Sequence, residues 1–229
     1  VGPSFTSPAP EGFDRTAQFF ASRGYATARI NHRGVIGFGR SFLIAGDLQV
    51  ATGMASDLAE GVKWLAAQGW TDPHRVALFA DQWGALTAVP LAARADAFRA
   101  IVNLSPPLDL AKLTADDLLA TAGRSEEELA LVAGDSKTFA AYRNSVDPVA
   151  AIGRISIPAF YHFERGAGEV VPGPVRHLEE RLKKQGAVYE LDIAPSLAKW
   201  DVLKLGSYPE WKEEARTFDA VGGFLQKHL

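Results

Sequence analysis

The residues best suited to do chemistry sit in one stretch, Arg75-Val76-Ala77-Leu78-Phe79-Ala80-Asp81-Gln82-Trp83-Gly84-Ala85. The apolar run at 76–79 predicts a strand buried on both faces, the residues after it a tight turn, and 85–94 a helix. Strand, turn and helix in that order make the elbow on which a G-x-S-x-G motif lifts a serine hydroxyl above a sheet edge. Here the apex residue is Gln82. A carboxamide is not a useful nucleophile at neutral pH, and no neighbouring base makes it one. Asp81 and Trp83, on either side of the apex, are the candidate pocket residues.

Other reactive groups are scattered. Ser105, Ser196 and Ser207 are loop serines suited to turns and caps. His32, His74, His162, His177 and His228 show neither an i, i+4 pair nor H-E-x-x-H, so no metal site is expected. His162 lies in a strand-like apolar segment and is expected to be a core or sheet-edge residue with its ring satisfied. Gly34, Gly37 and Gly39 could gather backbone N–H groups around a phosphate. Their order differs from the dinucleotide fingerprint and no helix is expected directly after them, so a structural loop is the expectation. No cofactor is expected.

Periodicity supplies the elements that must position these residues. Residues 13–23 read as a helix with Phe19 and Phe20 on one side and Gly24 closing it, and 25–30 as a strand. Leu58, Val62 and Leu65 recur at helical spacing within 57–67. Pro90 removes one hydrogen bond from the helix after the elbow, which should be short or kinked. A strand follows at 100–104. Residues 106–146 form a mostly helical, lid-like insertion with a capping signal at Ser125 and Glu128. Then come a strand at 157–163, a helix at 175–185, a strand at 188–193 and a closing helix at 211–229. Such alternation implies the α/β class, a mostly parallel sheet with helices on both faces.

The 229 residues suit a single core, and the net charge of −3 gives no electrostatic basis for binding nucleic acid. No apolar run approaches the roughly 18 residues of a membrane span, so no membrane partner is expected. The sequence has no Cys, which leaves out thiolate chemistry. It opens on Val1-Gly2-Pro3 without a signal-like segment and reads as a piece of a longer polypeptide, so the compartment stays unknown.

A series of short motifs runs through the chain. Phe20-Ala21-Ser22-Arg23-Gly24-Tyr25-Ala26 is followed by Asn31-His32-Arg33-Gly34 and Gly37-Phe38-Gly39, then by Asp57-Leu58, Gly61-Val62 and Trp64-Leu65. Asp72-Pro73 precedes Arg75-Val76, and Ile157-Pro158 and Val171-Pro172 come later. Together and in order these resemble the catalytic domain of the prolyl oligopeptidase family of serine peptidases, over nearly the whole chain. Gly2-Pro3 resembles the end of that family's H-G-G-P loop. The resemblance implies a three-layer α/β-hydrolase fold for residues 1–229 as one domain, truncated at its N-terminus. It also implies an upstream β-propeller and homodimerisation as expected partners.

The same resemblance says where a triad belongs. Its G-x-S-x-G falls on residues 80–84, which puts Gln82 in the nucleophile slot. The acid slot falls on Gly168 or, with a shift of one residue, on Glu169, and the base slot on Lys199. Asp81, preceding Trp83-Gly84, is similar to the nucleophile of haloalkane dehalogenases with its register off by one. In a serine protease, loss of nucleophile or base costs about 10⁶ in turnover because the groups act as a unit. The expectation is a peptidase-like domain with a degenerate triad, serving binding, assembly or structural support. Lys199, Gln82 and Asp81 or Glu169 would then form a polar plug or small pocket. The alternative is an active serine-type peptidase or esterase using a relocated or non-standard site.

Overall fold

The computed structural model describes residues 12–94, 96–108, 142, 144, 146–164, 173–194 and 208–229. Helix α1 (Arg15–Ser22) begins where the Asp14 side chain accepts a hydrogen bond from the Ala17 N–H, 3.1 Å away, which satisfies one of the orphan donors of a helix start. It closes at Gly24, whose φ of +81° fits the left-handed C′ position. A short helix α2 (Arg40–Ile44) and a π-helical turn (Val50–Met54) lead into α3 (Ala55–Ala67). Strand β1 (Ala77–Asp81), a 3₁₀ turn (Gln82–Gly84) and α4 (Ala85–Ala92) follow, then β2 (Ala100–Leu104). The later elements are α5 (Pro148–Ile152), β3 (Ala159–Glu164), α6 (Gly173–Lys184), β4 (Tyr189–Ala194) and α7 (Tyr208–His228).

The four strands form one parallel sheet in the order β1-β2-β3-β4, so all four release the chain at the same edge. Alternate residues serve opposite faces, as the two-residue period of a strand requires. Leu78, Ala80, Ile101, Ala159, Tyr161 and Phe163 pack with Leu58 of α3, Val89 of α4, Ile152 of α5 and Leu178 of α6. Ala100, Val102 and Phe160 pack on the other face with Phe20 of α1 and Val221, Phe224 and Leu225 of α7. Every residue of α4 is buried. Pro90 lies inside it, and the helix ends two residues later, the short form that the sequence predicts.

Two expectations are corrected. Residues 25–30 are not a strand and join no ladder among the described residues. A cavity of about 400 Å³ is lined both by Tyr25, Thr27 and Ile30 and by Val76, Leu78 and Phe79 in and just before β1, whose one ladder partner among the described residues is β2. Strand propensity reports only that a segment suits a pleated surface, whereas a ladder needs a neighbour at about 4.8 Å. The second correction is that a helix does directly follow the glycine loop, because Gly39, at φ +89°, is the N-cap of α2. Of the insertion expected over 106–146, residues 109–141, 143 and 145 lie outside the described residues.

Candidate functional site

At the C-terminal end of β1 the chain reverses into α4 within the three residues of the 3₁₀ turn. Gln82 at the apex has φ +45°, a left-handed backbone that costs a non-glycine residue about 1–2 kcal/mol. Small residues allow the reversal: Gly84 is buried, and Ala85 and Ala88 are essentially inaccessible, so the helix starts hard against the sheet. The Gln82 side chain is exposed, and its carboxamide makes no hydrogen bond among the described residues. Trp83 is half-buried and packs against Val50, Met54, Leu86 and Val146. Asp81 keeps an exposed surface, yet surrounding protein crowds its carboxyl. That burial pushes its pKa above the usual carboxylate range, against the pull of Arg29 and His162.

The glycine loop stands beside this elbow. Asp57, at the start of α3, accepts from the Arg33 backbone N–H at 2.9 Å and from its Nε and Nη2 at 2.8 and 2.7 Å. Burial raises the Asp57 pKa, but these donors outweigh it and hold the carboxyl below its ordinary range. A Cβ on Gly46 would lie 2.4 Å from the Gly34 Cα, so the two backbones meet at a distance only glycines permit. The loop is built for close packing, through Met54, onto the wall that also holds Trp83.

The same sheet edge carries a second polar group on the face of α7. Register pairing sets Asp81, Leu104, His162 and Asp192 in one row across β1 to β4. His162 is 7% exposed, and its Nδ1 lies 2.7 Å from Asp192 Oδ2. Arg216 of α7 donates to both Asp192 oxygens, at 2.6 and 3.2 Å. At the β1 end of this row Arg29 Nε lies 2.6 Å from Asp14 Oδ2, close in distance although its N–H is not aligned for a hydrogen bond. Sequence reasoning anticipated a buried His162 and missed its partners. Asp192 and Arg216 stand 30 and 54 positions away, and neither sits in a recognisable motif.

Structure thus brings Asp81, Gln82 and Trp83 together at the elbow. The acid slot at Gly168 or Glu169 and the base slot at Lys199 lie outside the described residues, as do Ser196 and Ser207. The chain leaves β3 at Glu164 and β4 at Ala194 on the elbow's own edge of the sheet. Among the described residues no group of three or more His, Asp or Glu side chains is placed to hold a metal ion.

Comparison with known proteins extends this picture. The prolyl oligopeptidase family matches residues 11–154. Dipeptidyl aminopeptidase BIII of Pseudoxanthomonas mexicana is 34% identical over 134 residues, which are 56% of this chain and 19% of that protein. A puromycin-hydrolyzing peptidase of Mycobacterium tuberculosis superposes on 98% of the chain with a TM-score of 0.77 at 18% identity, using 33% of its own length. The acylaminoacyl peptidase of Pyrococcus horikoshii superposes on 87% with a TM-score of 0.66 at 14% identity, using 32% of its own length. These structures share the α/β-hydrolase fold of the sheet and helices described above. The chain spans about a fifth of the sequence relative and about a third of the solved ones.

Proposed function

The chain belongs to the prolyl oligopeptidase family, and from that premise we propose that it is a peptidase-like domain whose elbow has lost serine chemistry and now serves binding, assembly or structural support. The observation that carries this is Gln82. It occupies the strained apex of a strand–turn–helix elbow and offers no atom able to attack a carbonyl. Lys199 in the base slot and Gly168 or Glu169 in the acid slot support the same reading at the level of sequence. With nucleophile and base both replaced, the unit loses about 10⁶ in turnover, and what an oxyanion hole retains does not make a peptidase. The relatives' greater length supports a domain that works inside a longer chain, with an upstream β-propeller and a homodimer as its proposed partners.

The names of the relatives supply the probes. Puromycin and dipeptidyl or acylaminoacyl p-nitroanilides should remain uncleaved by the protein, and Gln82→Ser should be no more active. Hydrolysis above background in that single variant would mean that a working base stands near the elbow.

A further inference from the structure

Buried backbone has to find hydrogen-bond partners, and two stretches that line the same cavity have none. The Val76 carbonyl accepts from the Arg99 N–H on the β2 side. Backbone groups alternate along a strand, so Leu78 and Ala80 also turn toward β2 while Ala77 and Phe79 turn away from it. On that outer side neither Ala77 nor Phe79 has a backbone partner among the described residues. The opposite wall is residues 26–30, whose N–H and C=O groups likewise have no partner among the described residues, although 27–30 are part-buried. Between the two walls lie about 400 Å³ of empty space. Phe20 and Leu225, from the cluster on one face of the sheet, close the space on one side, and Leu58 and Val62, from the cluster on the other face, close it on the other. The gap therefore lies in the layer of the sheet itself.

Its direction can be read from charged contacts. Arg29 bears on Asp81 at the end of β1 and on Asp14 just ahead of α1. Residues 25–30 thus approach the elbow edge as β1 does, while α1 starts at that edge and runs back to Gly24. Helix and return segment are the last two parts of a strand–helix–strand crossover. The first strand of such a unit has to deliver the chain to the start of α1, which means running parallel to β1.

We propose that the gap is the seat of a further strand of the same polypeptide, lying upstream of Val1 and paired on one side with Ala77 and Phe79 and on the other with residues 26–30. A strand there is covered on both faces, so five or six successive apolar, β-branched residues are expected. Residues 1–11 contain Pro3, Pro8 and Pro10, which lack the N–H groups that a strand paired on both sides must donate. A longer polypeptide is also what the comparisons favour, since the chain spans 19% of its sequence relative. The seat is independent of what Gln82 can do, and its loss would leave the reading of the elbow as it stands.

Amide exchange resolved to single residues tests the seat. In the 229-residue chain the Ala77 and Phe79 amides should exchange at least about 10-fold faster than those of Leu78 and Ala80. In a chain carrying about 20 native residues upstream of Val1, room for one strand and its approach, the amides of Ala77, Phe79 and 27–30 should slow by about 10²-fold. Ala77→Pro gives a second reading, because its ring removes an N–H that points away from β2. It should leave the melt of the 229-residue chain within about 2 °C and lower that of the longer chain by about 4 °C or more. Equal exchange in the two chains overturns the upstream strand, as does an equal effect of Ala77→Pro on both. So does slow exchange at Ala77 and Phe79 in the dilute 229-residue chain, which would mean that residues 26–30 close directly on β1. Slowing that appears only as the 229-residue chain is concentrated would make a second copy the occupant and overturn it too.

Discussion

The two ends of one sheet edge differ in what holds them in order. At β1 the backbone device is intact: Gln82 holds a left-handed φ, Gly84 and Ala85 pack tightly behind it, and Gly34 touches Gly46 across the loop. Its side chains are less tied: the Gln82 carboxamide makes no hydrogen bond among the described residues, and the crowded Asp81 carboxyl accepts from the Gln82 backbone N–H. Across β3 and β4 the opposite holds. The strands are regular there, and the side chains of His162, Asp192 and Arg216 are locked together. Packing of small residues maintains the backbone shape of the elbow, whereas an ionised buried group has to keep its hydrogen-bond partners or become a cost.

That contrast can be broken by stability measurements. The largest effect is expected at the backbone device, where Gly46→Ala sets a Cβ against the Gly34 backbone, which cannot yield as a flexible side chain would. It should cost about 3 kcal/mol in urea unfolding, and a loss under about 1 would show the loop to be slack. Next is Asp192→Ala, which strands His162 and Arg216. Arg216 is part-exposed and can rehydrate, so the cost should be about 2 kcal/mol, below that of a fully buried pair.

Smallest, and opposite in sign, is Asp81→Asn. The folded-state pKa of Asp81 is raised above 3.8, so the native form gives up stability as pH climbs through that raised value, and the Asn variant should melt higher at neutral pH. Asp192 titrates the other way. Its folded pKa lies below 3.8, and the stability it contributes is present above that value and lost as pH falls through the depressed one. Melting curves of Asp81→Asn and Asp192→Asn against the parent should therefore diverge in opposite directions at neutral pH and converge in acid. Divergence in the same direction would erase the distinction drawn between the two ends.

Much of the fold was legible because its signals are local. The apolar run before the elbow, Pro90 in the short helix, Gly24 as a stop and the helical spacing of Leu58 and Val62 each report on a few neighbouring residues. The elbow, too, could be read as a strand–turn–helix, and Gln82 as its apex, from eleven consecutive positions. Residues 25–30 were read as a strand from the same kind of signal, and there it was insufficient, since a ladder is a property of two segments.

What the sequence alone determined, then, was the succession of elements and the identity of the residue at the bend, because backbone preference and hydrophobic period act over one or two turns of chain. Tertiary structure alone decided which side chains share a row across the sheet. Only parallel pairing of β3 and β4 carries His162 onto Asp192, and only the return of α7 sets Arg216 on the carboxylate. Neither arrangement has a local cause, since hydrogen-bonding partners that are dozens of residues apart are chosen by the packing of the whole sheet.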